Sequence, residues 1–226
     1  MMNVAGSILI LSALALAQPP RAVAPAPGVF LVAKPSIDGG PFRQSVVLLL
    51  AHGSEGTLGV IVNRATEIPL SRVLAELDAD ETGDPALNFG GPVALDGLMF
   101  LFKSDDPPAA LKSVMGDVYF SGDRELLEKL LKKKEGRDRL KLYLGHAGWS
   151  PGQLQGEIAR GSWTLVPADA FTVFQKSPDA IWPELARIGV TVATAFPHSQ
   201  DAAVLDLRPP GTCTRRRKGP AAWNRC

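Results

Sequence analysis

Residues 45–63 read SVVLLLAHGSEGTLGVIVN. Two apolar runs, Ser45–Ala51 and Thr57–Asn63, flank His52-Gly53-Ser54-Glu55-Gly56, a glycine-containing connection of hairpin length. The first run is continuous rather than alternating, as in a strand covered on both faces. Working outward, Val29–Ala33, Gly97–Phe102, Asp117–Phe120, Arg139–Leu144 and Ser162–Val166 read as further strands, and Thr191–Ala195 as a weak final one. Phe89-Gly90-Gly91-Pro92-Val93 reads as a turn, because consecutive glycines before proline break a strand ladder.

Three segments carry helical spacing. Pro69–Leu77 puts Leu70, Val73, Leu74 and Leu77 on one face. Ser121 or Asp123 is positioned to cap a helix running to Lys134, with Leu126, Leu127, Leu130 and Leu131 as its apolar stripe. Its closing lysines, Lys132-Lys133-Lys134, complement the helix dipole, and Gly136 ends it. Pro178–Ile188 is the third, with Ser177 as N-cap, Gly189 beyond its end, and Pro183 bending or splitting it. Strands and helices without regular alternation predict an α+β fold, a single compact domain, rather than a doubly wound sheet.

The 226 residues suffice for one sizeable core. Net charge is +1, but six of the 24 basic residues lie from Arg208 onward, which leaves 18 against 23 acidic residues, or −5, for the rest. An acidic body is a poor surface for phosphate backbones. Direct nucleic-acid binding is therefore expected only through Arg215, Arg216, Arg217 and Lys218, a run that also reads as a solvated tail. The three histidines, His52, His146 and His198, are scattered, and both cysteines, Cys213 and Cys226, lie in that tail. No metal site and no cofactor are expected.

The N-terminus resembles a secretory signal. Val4–Ala17 is apolar, ends in Ala15-Leu16-Ala17, and precedes an Ala/Pro-rich stretch to Pro27, although no Lys or Arg precedes the run. Its roughly 14 residues are too few to span a bilayer, so an integral membrane protein is not expected. The predicted organisation is an extension over 1–27, a domain over 28–197 and a basic tail over 198–226.

Gly148-Trp149-Ser150-Pro151-Gly152 fits G-x-S-x-G, the nucleophile elbow of α/β-hydrolases, with Asp169, Asp179 and His198 following in the order that fold uses. Three points oppose catalysis. The residue after the serine is Pro151, which lacks the N–H an oxyanion hole takes from that position. Gly145–Trp149 intervene between the predicted strand and Ser150, and His198 lies near the chain's end. The same residues spell a helix start: Ser150 as N-cap, Pro151 at the first position and Gln153 closing a capping box. No catalytic residue is assigned, and Ser150 is read as a helix cap.

Several stretches resemble the YqgE/AlgH family. One is the set His52, Glu55, Gly56, Gly59, Asn63 and Arg64; the others are Gly90–Val93 and Gly145–Leu154. Ala65 departs from the proline common in that family. The resemblance implies a compact α+β fold with a strongly bent, partly barrel-like mixed sheet and a few packed helices. It implies no activity; some members are named for an influence on alginate gene expression and described as transcriptional regulators. It also implies a cytoplasmic location, against the export that the N-terminus suggests.

The expected function is binding or regulation without catalysis, toward a protein or a small anionic ligand. The candidate surface comprises His52, Glu55, Gly56, Asn63, Arg64, Gly90, Gly91, His146, Gly148, Trp149 and Gln153, all in predicted loops or strand ends. The alternative is an enzyme using His52, Glu55 and His146 as acid–base groups in one loop-lined pocket.

Overall fold

The computed structural model describes residues 23–76, 83–133 and 139–195, the side chains of 189–195 excepted. Among these residues there are ten strands: β1 Val29–Ala33, β2 Val46–Gly53, β3 Gly56–Ile61, β4 Ala65–Pro69, β5 Ala86–Phe89, β6 Val93–Lys103, β7 Ser113–Met115, β8 Val118–Ser121, β9 Leu140–Trp149 and β10 Trp163–Pro167. The helices are α1 Arg124–Lys132, α2 Gln153–Ala159, α3 Ala170–Phe174 and α4 Pro178–Ala195. The spatial order is β10-β1-β2-β3-β9-β6-β8-β7, with β5 on the β3 side of β9 and β4 outside β5. Every pairing is antiparallel except β5 with β9. The sheet curls into a half-barrel, so the α+β class and the bent sheet both hold.

The opening hairpin organises the core. Val46, Leu48 and Leu50 pack in one cluster with Val60, Val62, Val173, Phe174, Ile181 and Leu185. Val47 and Leu49 pack on the other face with Ile61, Ala147, Trp149, Leu154 and Trp163. That two-sided burial is why the run is continuous instead of alternating. Each leucine so buried contributes roughly 1.5–3 kcal/mol relative to exposure. A third cluster, with Phe100, Phe102 and Leu142 from the sheet, lies beneath Leu127, Leu130 and Leu131 of α1. Asp123 caps α1 by accepting the Leu126 N–H at 2.7 Å. Lys134 and Gly136 lie outside the described residues.

Four sequence expectations change. Pro69–Leu77 is not a helix: Pro69 ends β4 and only a 3₁₀ turn, Leu70–Arg72, follows. Its backbone is drawn to another segment, since Leu70 N–H donates to Pro85 O and Ser71 N–H to Asp84 Oδ1. Leu70 still reaches the core, and Leu77 lies outside the described residues. Thr191–Ala195 is helix, not strand, because α4 continues through Gly189 to Ala195. One interior glycine costs only about 1 kcal/mol, too little to end it. Pro183 likewise sits inside α4 without splitting it. The last change is in length: β6 begins at Val93 and β9 continues to Trp149, so residues expected in turns are strand.

Candidate functional site

The SPGQ segment at 150–153 is a type II turn. Gln153 N–H donates to Ser150 O at 3.0 Å, and Gly152 adopts φ 79°, ψ −16°. Proline at the second position and glycine at the third are what this turn requires. The N-cap of α2 is therefore Gly152 and not Ser150, and no side chain caps the helix. Half of the expected reciprocal box survives: Ser150 N–H donates to Gln153 Oε1 at 3.1 Å. Because β9 runs to Trp149, the strand does reach Ser150, and that point against an elbow falls. The missing N–H of Pro151 stands. Of the supposed partners, Asp169 caps α3 through Thr172, and His198 lies outside the described residues, as do Cys213, Cys226 and Arg215–Lys218.

The candidate surface separates into three places. The first is the hairpin tip against α2. His52 pairs in register with Thr57, and Thr57 with Trp149. His52 Nδ1 lies 2.7 Å from Thr57 Oγ1 and its Nε2 lies 3.3 Å from Gln155 Nε2. Gly56 is pressed against β9, where a Cβ would stand 2.5 Å from Trp149 O. Glu55 is exposed and accepts a long 3.4 Å bond from Ser54 Oγ. Beneath this tip, Trp149, Trp163 and Phe42 form an aromatic trio with centroids 5.7–6.1 Å apart. Glu157 fastens it: Oε2 accepts the Trp149 indole N–H at 3.0 Å and the Trp163 indole N–H at 2.8 Å, while Oε1 accepts from Gln153 Nε2 at 3.2 Å. Gln153 and Trp149 are thus members of one framework. Sequence reasoning missed Glu157; its only local sign is the i, i+4 spacing from Gln153 on a helix.

The second place is the other end of β3. Asn63 is buried and bonds the preceding turn with both amide atoms, accepting Val46 N–H at 2.8 Å and donating to Gln44 O at 2.9 Å. Arg64 Nη2 donates to Arg43 O. Both residues clasp the 43–46 turn at the end of the hairpin opposite His52.

The third place is a crossing of chains. Phe89 pairs with Leu144 on one edge of β9, and Val93 pairs with His146 on the other. The segment between them passes over the strand. A Cβ on Gly91 would meet His146 O at 2.3 Å, one on Gly90 would meet Gly145 O at 2.3 Å, and one on Gly145 would meet Gly91 O at 2.4 Å. Only glycines allow two backbones this close. Beyond the crossing, the β6–β9 register shifts between Val93 and Leu98. Ala94 takes φ 49°, and Val93 and Leu95 are 43% and 57% exposed. His146 lies along the same face as Gly148, its Cδ2 3.7 Å and Val93 Cγ2 3.9 Å from where a Gly148 Cβ would stand.

Since Thr57 and Leu58 face Trp149 and Gly148 respectively, the register puts His52 and His146 on opposite faces of the sheet. The structure does not bring these two imidazoles together. Among the described residues no group of three or more His, Cys, Asp or Glu could hold a metal, and no helix is long and apolar enough to cross a membrane.

The AlgH-like family pattern matches residues 30–193. A UPF0301 protein of Methylococcus capsulatus is 37% identical over 172 residues, which span 74% of this chain and 93% of that protein. A UPF0301 protein of Streptomyces avermitilis is 38% identical over 167 residues, 71% and 84% of the two chains. Among solved structures, the solution structure of the AlgH protein from Pseudomonas aeruginosa superposes with a TM-score of 0.60 at 27% identity, covering 77% of this chain and 96% of that one. A crystal structure of a Corynebacterium diphtheriae protein gives 0.60 at 28% identity, covering 74% and 89%. The chain belongs to the AlgH-like family.

Proposed function

We propose that the protein acts by docking a partner protein on the β6–β9 bulge and catalyses no reaction of its own. The observation that carries this reading is the outward turn of Val93 and Leu95, 43% and 57% exposed, around a left-handed Ala94. A left-handed non-glycine residue costs roughly 1–2 kcal/mol. Exposing two branched aliphatic side chains at such a residue forgoes burial as well, a combination expected where the surface serves recognition. His146 and Asp96 supply a polar border, Gly148 leaves the neighbouring strand bare, and Gly90, Gly91 and Gly145 fix the bulge in position. A regulatory influence then runs through that protein partner, because the acidic body is unsuited to phosphate backbones.

Site-specific photo-crosslinking in the source cells tests this. With p-benzoylphenylalanine at position 95, a discrete protein adduct is expected, and none with the same group at the equally exposed Phe171. No adduct at 95, or the same adducts at both positions, contradicts it.

One observation favours a second reading. The Thr57 hydroxyl 2.7 Å from an imidazole nitrogen of His52 has the geometry of a base-activated nucleophile, with Gln155 orienting the ring. Turnover of any ester or amide substrate that is lost in both His52→Ala and Thr57→Val would favour it over docking.

A further inference from the structure

A second surface lies away from the bulge, between α1 and the 102–108 segment. It is a cleft of about 550 Å³, within the roughly 300–1,000 Å³ of small-molecule sites. Leu126, Pro107 and Pro108 form its accessible apolar floor, backed by the buried Phe102 and Leu130, and Lys129, Lys132 and Lys133 stand on its rim. Phe102 and Leu130 belong to the third core cluster, so the floor is anchored rather than mobile. Among the described lining residues Asp106 is the one carboxylate, so their charges sum to +2. Two neighbouring carboxylates are engaged elsewhere: Asp105 pairs with Arg139 and Glu128 with Arg124. None of the three lysines forms an ion pair with a described residue.

The helix dipole accounts for a cation in the last turn of α1. It does not account for an accessible apolar floor between the cations and the 102–108 segment. An apolar floor with a cationic rim is complementary to a molecule with an apolar body and one anionic end. We propose that this cleft binds a small amphiphilic carboxylate: the hydrocarbon lies on Leu126, Pro107 and Pro108, and the carboxylate is held by Lys129, Lys132 and Lys133. The assignment is independent of the docking surface on the β6–β9 bulge.

Calorimetric titration of the full chain with decanoate, below its micellar concentration, tests it, with acetate and decyltrimethylammonium as comparison probes. Saturable decanoate binding at one per chain is expected, with no detectable binding of acetate or the cation. The combined Lys129→Ala, Lys132→Ala, Lys133→Ala variant alters only exposed side chains, so its fold is expected to be retained and is checked by circular dichroism. Its decanoate affinity is expected to fall at least about tenfold, in line with the loss of several partly exposed charge contacts. A Leu126→Glu substitution is expected to weaken binding by a similar factor by opposing the carboxylate from the floor. The proposal is overturned if decanoate does not bind, if the triple variant binds it undiminished, or if acetate or the cation binds as well as decanoate.

Discussion

Gly145 and Gly91 cross with their backbones in contact: a Cβ on Gly145 would lie 2.4 Å from Gly91 O, and a Cβ on Gly91 would lie 2.3 Å from His146 O. Both glycines also have positive φ, 65° and 152°. This crossing lets one continuous segment leave β5 on one edge of β9 and begin β6 on the other.

Gly91→Ala and Gly145→Ala are each expected to destabilise the fold by about 3 kcal/mol or more, since neither backbone can retreat from the other. Gly39→Ala, where nothing lies within 4 Å of the new methyl, is expected to change stability by less than about 0.5 kcal/mol. Urea unfolding of the three variants checks the contrast.

Removing the Glu157 carboxylate leaves two buried-side indole N–H groups and the Gln153 amide without their acceptor. Glu157→Ala is expected to cost about 2–4 kcal/mol, because hydrogen bonds to a charged acceptor are worth more than neutral ones. The near-UV circular dichroism of Trp149 and Trp163 should weaken with it. An unchanged spectrum and stability would show that the aromatic trio holds itself.

Asn63 and Arg64 sit side by side but carry different weights. Asn63→Ala strands the Val46 N–H in a buried turn and is expected to cost about 2–3 kcal/mol. Arg64→Ala removes one bond at an exposed position and is expected to cost less than about 1 kcal/mol. Thermal unfolding of both variants distinguishes these roles.

Burial pushes the Tyr143 phenol well above its ordinary value. The unfolded chain ionises this group near pH 10 while the folded chain keeps it protonated, so stability is fully present below about pH 10 and falls as pH rises past it. Tyr143→Phe is expected to flatten the stability profile between about pH 9.5 and 11 relative to the parent. A parent and variant with parallel profiles would contradict this.

Much of the fold was legible because single stretches carried strong local signals. The SVVLLLA run at 45–51 showed two-sided burial, and the leucines of 126–131 showed the inward face of α1. The misreadings came where two local rules competed. At 150–153 both a serine cap and a Pro-Gly turn were written, and the turn prevailed because proline restrains its own φ and glycine takes the left-handed angle at no steric cost. At 69–74 apolar spacing suggested a helix, but hydrogen bonds from 84–85 took the backbone instead. The candidate site was least legible. Sequence order could not tell that His52 and His146 project from opposite faces, since that follows from the pairing of β3 with β9. Nor could it show that Val93 and Leu95 are exposed, which goes with a shift of register between β6 and β9 just beyond the glycine crossing.

The docking reading is tested most directly by the affinity of the protein captured at position 95, measured by calorimetry against the parent chain and two variants. Leu95→Asp is expected to weaken binding about a hundredfold, the loss of a central apolar anchor. His52→Ala, on the opposite face, is expected to leave the affinity within about threefold. Binding that survives Leu95→Asp but is abolished by His52→Ala would contradict the account and move the functional surface to the hairpin tip.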